Sequence, residues 1–408
     1  MRGNATVISL VEYQAQLITE EDLSEQEAQF LFQQYGDMID LEWPSPRTNK
    51  AFRLVSKGWV GFIPLGGGRG ISILPKVPLE HLFQMLEYAY DLKSFKLLQG
   101  QFNCETVLDY FERLAILLAD LLLQRSRLGL YRTYIEEEEC LNFVRGRINI
   151  DQFAKSPVKS AIQCRFEDQT IDNADNQIIA WALHCLLRSG LCTDRALPKI
   201  RKAAKVLSHS VSLKPYQPDD CTDRAYNRLN ADYETMHLLC RFLLEKVGPT
   251  QNAGARSMIP FLVNMGRLFE SFVAKWFSRN IDPAYYLKAQ EKISLGSKDK
   301  LMMSLDLVVY SRESSAPVCV LDTKYKRGGS VSPPDLYQVI TYADSTQCKH
   351  AFLVYPFADA EPFSLKPGNV RVRSAIFDLS LDLDIAGRKF MDSLFLDSLN
   401  NMSPTLAF

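Results

Sequence analysis

Two short apolar runs near the C-terminal end carry ionisable residues that a buried strand rarely tolerates. Ser304-Leu-Asp-Leu-Val-Val-Tyr310 contains Asp306, and Val318-Cys-Val-Leu-Asp-Thr-Lys324 contains Asp322 and Lys324. Side chains alternate along a strand, so Asp322 and Lys324 project from one face, roughly 7 Å apart. Pairing of the two runs as a hairpin brings two carboxylates and one ammonium to a single spot. On an otherwise apolar hairpin that trio points to metal-assisted phosphodiester hydrolysis. Mg²⁺ takes hard oxygen ligands and keeps several waters, so one or two Asp carboxylates plus a substrate phosphate suffice. Lys324 would hold the attacking water and balance charge developing on the phosphate.

The flanking segments supply further candidates. In Asn264-Met-Gly-Arg-Leu-Phe-Glu-Ser-Phe-Val-Ala-Lys-Trp276, apolar residues at 265, 268, 269, 272, 273 and 276 form one helical stripe. Glu270 falls at its margin, where a carboxylate reaches toward a sheet. A second helix begins at Ser332-Pro-Pro-Asp335, a capping-box pattern with proline in the first turn. Gln338 and Tyr342, four apart, share one face of it. With Ala351–Tyr355 as a closing strand, residues 251–408 read as an α/β core with a mixed sheet. Lys326 and Arg327 are either phosphate contacts or a solvated charge pair.

The remainder suggests a multidomain α+β chain: a β-rich N-terminal region (1–95), a mainly helical middle (96–250) and the C-terminal core. Strands are expected at Val7–Val11, Ala51–Val55, Trp59–Ile63 and Ile71–Leu74, with a helix capped by Ser24. Leu65-Gly-Gly-Gly-Arg-Gly70 reads as a hairpin tip, because no Lys-Ser/Thr follows it and strands flank it. Middle helices are expected at Leu79–Leu92, Val107–Arg125, Asp175–Leu187, Leu197–Leu207 and Ala231–Val247, interrupted by the stretch Thr133–Ile150 with strand-like sequence around Phe143–Ile148. The Gly/Pro-rich stretch Val247–Arg256 marks a boundary. Glu136–Glu139 reads as a solvated face. The formal net charge is −1, so any nucleic-acid contact must come from a local patch or a partner. Nine scattered cysteines without a Cys-x-x-Cys pair, no secretory leader and no run of bilayer length suggest a cytoplasmic protein.

These features resemble the PD-(D/E)xK nuclease superfamily and, within it, the McrC family of restriction endonuclease subunits. The resemblance rests on Ile73-Leu-Pro-Lys-Val-Pro78 with Leu82–Tyr90, on Asn142-Phe-Val-Arg-Gly-Arg-Ile148 and on Asp172-Asn-Ala-Asp-Asn176. It continues through Gly266-Arg-Leu-Phe-Glu270, Asp306, Asp322-Thr-Lys324 and Asp335–Tyr342. Leu305 stands where the superfamily's name has proline, a position that shapes backbone and does not bind metal. The resemblance implies a cleavage subunit of a two-component system acting on modified DNA, commonly methylcytosine. Its catalytic set is Glu270, Asp306, Asp322 and Lys324, with Mg²⁺ on the three carboxylates and support from Gln338 and Tyr342. The implied partner is a McrB-like AAA+ GTPase that binds GTP, carries DNA recognition and is stimulated by this chain. The glycine-rich hairpin, with Arg69 exposed, is the expected partner contact. Nuclease domains are expected to pair transiently for double-strand cleavage. The alternatives are a nuclease-dead regulator of an AAA+ ring and a standalone nuclease for damaged or branched DNA.

Overall fold

The computed structural model describes residues 7–66, 69–92, 104–148, 150, 161–247, 260–295, 301–326, 331–359 and 362–400. The chain forms two compact units: Met1–Phe95, Gly100–Val107 and Leu262–Phe408 make one, Lys96–Gln99 and Leu108–Phe261 the other. Regions 1–95 and 251–408 of the sequence-based division therefore lie largely in one unit.

The N-terminal elements are β1 (Val7–Val11), β2 (Gln16–Ile18), α1 (Glu25–Tyr35), β3 (Ile39–Glu42), β4 (Phe52–Ser56), β5 (Trp59–Gly66), β6 (Arg69–Leu74) and α2 (Leu79–Tyr90). Ser24 is the expected cap of α1, and it forms a capping box: its hydroxyl accepts from the Glu27 amide, and the Glu27 carboxylate accepts from the Ser24 amide. β5 and β6 form the antiparallel hairpin, while β1 lies parallel to β6. Alternate residues Ile8, Leu10, Ile71 and Ile73 join Leu31, Phe52 and Leu54 in one core.

The second unit contains α3 (Val107–Leu128), β7 (Thr133–Leu141), β8 (Arg147–Ile148), β9 (Ile162–Thr170), α4 (Ala174–Ser189), α5 (Leu197–Leu207) and α6 (Tyr233–Val247). Within the Thr133–Ile150 interruption the long strand is β7, at its start; of Phe143–Ile148 only Arg147 and Ile148 are in a strand. Gly146 has φ +70°, and a Cβ there would lie 2.4 Å from the Arg165 carbonyl oxygen, so the Arg-Gly-Arg sequence needs its glycine. Arg165 pairs with Glu136 and Glu138 on the solvated face of β7. The Asp172–Asn176 motif is a polar knot. Asn173 caps α4, and Asp172 accepts from Gln177 and Ser212. Asn176 donates to the Tyr131 and Ile171 carbonyls and accepts from the Tyr233 hydroxyl.

The chain then returns as β10 (Phe261–Asn264), α7 (Met265–Asn280), β11 (Tyr285–Leu295), β12 (Leu301–Ser311), β13 (Pro317–Thr323), α8 (Pro333–Ser345), β14 (His350–Tyr355), β15 (Ser364–Leu365), β16 (Arg371–Ile376) and α9 (Leu383–Asn400). β10 completes the N-terminal sheet in the order β1-β6-β5-β10 and runs directly into α7. The Met265 amide donates to the Gly58 carbonyl, Tyr88 of α2 packs edge-on against Phe272, and Asp91 pairs with Lys275. These contacts explain why the two ends of the sequence share a unit.

The second sheet has the order β11-β12-β13-β14-β16-β15, antiparallel through β13 and parallel from β13 to β16. Leu307, Val308 and Val309 are consecutive and fully buried, so both faces of β12 are covered. On one of them, Val339 and Ala343 of α8 join Val308, Val320, Ala351 and Val372. Among the described residues no helix is long and apolar enough to cross a membrane.

Candidate active site on the C-terminal sheet

The hairpin forms as its sequence requires. β12 and β13 pair with Leu307 opposite Leu321, and Asp306 and Asp322 are the next residues on the two strands. Thr323 fastens Asp306: its amide and hydroxyl donate to Oδ2 at 2.9 and 3.1 Å. Asp322 is fully buried. Its Oδ2 lies 2.8 Å from the Lys324 Nζ as an ion pair off the hydrogen-bonding direction, and Oδ1 has no hydrogen-bond partner among the described residues.

Lys324 is held from both ends. Its amide donates to the Val354 carbonyl, extending the β13–β14 ladder by one residue. Its Nζ donates to Gln338 Oε1 at 3.1 Å and lies 3.8 Å from Asp335. Gln338 Nε2 in turn donates to the Tyr342 hydroxyl at 2.6 Å, which fixes the amide with its oxygen toward the lysine. Both supporting residues expected on α8 thus reach the site. Lys326 pairs with Asp335 at the strand end; Arg327 lies outside the described residues.

Glu270 arrives from α7, and a residue that sequence reasoning missed holds it. β11 and β12 pair Ala289 with Leu307 and Glu291 with Leu305, leaving Gln290 at the position opposite Asp306 with no shift of register. Gln290 sits at φ +53°, a left-handed conformation uncommon for a residue with a side chain. From there its Nε2 donates to Glu270 Oε1, and its Oε1 accepts from the Ser304 hydroxyl. The available signal was the apolar alternation at 285, 287, 289, 293 and 295, which marks β11 as a strand.

The cluster is short of positive charge. Burial, then Asp306 and Asp322, push the Glu270 carboxyl up to about 7. Burial and Asp306 push Asp322 up to about 7 despite the opposing pull of Lys324. Burial alone would lower the Lys324 ammonium, but Asp322, Asp335 and Asp306 carry it above its ordinary value. Among the described residues no three His, Cys, Asp or Glu side chains are gathered closely enough to enclose a metal ion. Each carboxylate has one oxygen engaged: Asp306 by Thr323, Asp322 by Lys324 and Glu270 by Gln290. The donor set nevertheless fits a hard divalent cation. It consists of oxygen ligands that repel one another, with a buried carboxylate oxygen left without a hydrogen bond.

Behind the site, two rings meet. Phe269 precedes Glu270, Tyr325 follows Lys324, and their centroids are 6.0 Å apart. The Tyr325 hydroxyl donates at 2.7 Å to Glu12 Oε1, a fully buried carboxylate that also accepts from the Lys76 amide. No sequence pattern singles out Glu12.

Arg69 departs from expectation. Its guanidinium donates to the Asp22 carbonyl and lies 3.6 Å from Glu27, with 31% of the side chain exposed. It is tied against the start of α1 and does not stand free at the hairpin tip. Gly67 and Gly68 lie outside the described residues.

The sequence profile of the family described as McrBC 5-methylcytosine restriction system component matches residues 54–356. Two solved structures from Thermococcus gammatolerans are similar over the whole chain. A chain from a refined half-complex of the tetradecameric assembly of McrB AAA+ hexamers with bound McrC matches with a TM-score of 0.62 and 18% identity, over 98% of this chain and 100% of that one. A chain from the cryo-EM structure of the McrBC complex matches with a TM-score of 0.50 and 16% identity, over the same shares. At these identities the likeness is one of fold. No curated protein matches significantly.

Proposed function

The chain belongs to the McrBC 5-methylcytosine restriction system component family, and from that membership and the site's geometry we propose that it is a PD-(D/E)xK-type, Mg²⁺-dependent DNA endonuclease subunit. The observation that carries this reading is the β12–β13 ladder. It sets Asp306 and Asp322 across from each other, with Lys324 two residues on and Glu270 contributing from α7.

Asp306, Asp322 and Glu270 would hold Mg²⁺, which when bound supplies Lewis-acid polarisation of the scissile phosphate and favours ionisation of the attacking water. The chain's own residues orient and neutralise. Lys324 stays protonated beside Asp322 and Asp335, so it offers positive charge to a phosphate oxygen where negative charge accumulates. Gln338, locked by Tyr342, limits the directions in which the ammonium swings. Thr323 and Gln290 do the same for Asp306 and Glu270.

Of the similar solved structures, one is of McrB AAA+ hexamers with bound McrC and the other of the McrBC complex. We extend that arrangement to this chain: its partner is a McrB-like AAA+ GTPase that binds the GTP and whose hydrolysis this chain stimulates. With Arg69 tied back, the β7–β9–β8 ribbon is the better partner contact. Its Tyr134, Phe143 and Val144 side chains are 56–65% exposed. The alternative reading is a nuclease-dead regulator of the same AAA+ partner. Digestion of methylated and unmethylated plasmids with partner, GTP and Mg²⁺ separates the two. Cleavage supports the nuclease; stimulated GTP hydrolysis with intact plasmid supports the regulator.

A further inference from the structure

A chain of net charge −1 contains one strongly basic stretch. Residues 188–214 hold seven Lys and Arg (188, 195, 199, 201, 202, 205 and 214) against one acid, Asp194. Its centre is α5, which buries Ile200, Ala203 and Leu207 and exposes Arg201, Lys202 and Lys205 on the other side. None of these three forms an ion pair among the described residues. Lys199 does, with Asp120 of α3 at 2.9 Å.

The arrangement opposes the helix's own stability. Lys199, Lys202 and Lys205 are spaced three apart, and Arg201 lies four before Lys205, so like charges face one another along the surface. No acidic residue occupies the first turn, and the N-cap, Ala196, offers no side-chain acceptor. Lys199, in that turn, works against the helix dipole, while Lys205, in the last turn, complements it. Beside the exposed face, a groove of about 400 Å³ runs between α3 and α5. It is lined in part by Gln124, Arg127, Lys199 and Lys202, and its one carboxylate, Asp120, is already taken by Lys199. Arg201, Lys202 and Lys205, without ion-pair partners among the described residues and beside a basic-walled groove, fit a polyanion with regularly spaced charges.

We propose that α5 and the C-terminal end of α3 form a binding surface for the phosphate backbone of duplex DNA, through Arg127, Arg201, Lys202 and Lys205. The inference rests on the reading of DNA as substrate and locates a sequence-independent contact for it in the Leu108–Phe261 unit.

The test is fluorescence anisotropy of a labelled duplex with the full chain, in chelator so that binding is read without cleavage. The triple variant Arg201→Gln, Lys202→Gln, Lys205→Gln is compared with wild type across a salt series. Each lost phosphate contact flattens the slope of log K against log salt by about 0.9. The triple variant is therefore expected to lose roughly 2–3 in slope and at least about tenfold in affinity near 0.1 M salt. A charge-preserving variant (Arg201→Lys, Lys202→Arg, Lys205→Arg) is expected to bind as wild type. An unchanged slope in the triple variant overturns the proposal, as does a wild-type chain that fails to bind the duplex. So does unchanged DNA binding with loss of partner GTPase stimulation, which would mark the surface as a dock for an acidic protein. Plasmid digestion by the wild type reports separately on the nuclease reading, so failure of one is distinguishable from failure of the other.

Discussion

Gln290 donates a hydrogen bond to Glu270 from within β11, at a φ of +53°. That left-handed conformation turns a side chain of the sheet's edge strand toward a carboxylate on α7, at the register position opposite Asp306. Left-handed backbone in a non-glycine residue costs on the order of 1 kcal/mol and persists where surrounding structure imposes it. Gln290→Gly relieves that strain and removes the donor. The expected outcome is an unfolding midpoint close to wild type with cleavage or Mg²⁺ affinity reduced roughly 10-fold or more, the usual scale for a residue that orients a metal ligand. A magnesium titration of cleavage rate, beside a melting curve, checks it. Unchanged Mg²⁺ dependence would remove Gln290 from the site.

Asp322 is a fully buried carboxylate next to two others, with one ammonium to offset them. Replacing it with the neutral, nearly isosteric asparagine relieves repulsion while Lys324 keeps Gln338 and Asp335. In chelator, Asp322→Asn is expected to be more stable than wild type by roughly 1–3 kcal/mol, and inactive. Urea unfolding of both proteins in chelator is the measurement; a less stable variant would contradict the electrostatic account.

The Tyr325–Glu12 hydrogen bond fastens the segment behind Lys324 to the N-terminal sheet. Tyr325→Phe leaves the buried Glu12 with one donor fewer and is expected to cost about 1–3 kcal/mol. Glu12→Gln retains an acceptor and should cost less. Denaturant midpoints of the two variants rank them, and the reverse order would show that the bond is not what holds this segment.

His237 gives the second unit a dependence on pH. Its ring is fully buried, with Nδ1 2.8 Å from the Tyr226 hydroxyl and Nε2 3.0 Å from the Asp175 carbonyl. A neutral ring satisfies both by accepting from Tyr226 and donating to Asp175. Arg224 bonds Asp175, and Tyr233 lies edge-on to the ring. Burial lowers the imidazole pKa, with Arg224 adding to the effect and Asp175 opposing it. A lowered folded-state pKa contributes stability above the unfolded value, near 6.5, that is lost as pH falls through the folded value. The unfolding free energy should therefore fall between about pH 7 and 5, and fall less in His237→Gln. An NMR titration giving an imidazole pKa at or above the unfolded value would refute it.

What the sequence disclosed was local. Asp306, Asp322 and Lys324 stand out because apolar strands rarely carry charge. Ser24 and Ser332 announce helix starts through contacts three residues away. The α7 stripe places Glu270 at its margin. What it concealed depends on partners distant in the chain. β10 joins the N-terminal sheet, and β16 slips between β14 and β15. Glu12 meets Tyr325 across more than three hundred residues. Arg69 looked like a free tip because glycines surround it, but the fold of α1 brings Asp22 and Glu27 to it. Gln290 is hidden for a similar reason: its left-handed backbone and its bond to Glu270 depend on α7 lying beside the sheet, and nothing in β11 alone specifies them.

The most direct test of the central claim is plasmid cleavage by the chain with a McrB-like partner, GTP and Mg²⁺, comparing wild type with Asp322→Ala and Lys324→Ala. GTP hydrolysis is followed in the same tubes. The account predicts that wild type cuts, that both variants fail to cut, and that all three stimulate hydrolysis equally. Cleavage that survives either substitution would contradict the assignment of the β12–β13 hairpin as the catalytic centre.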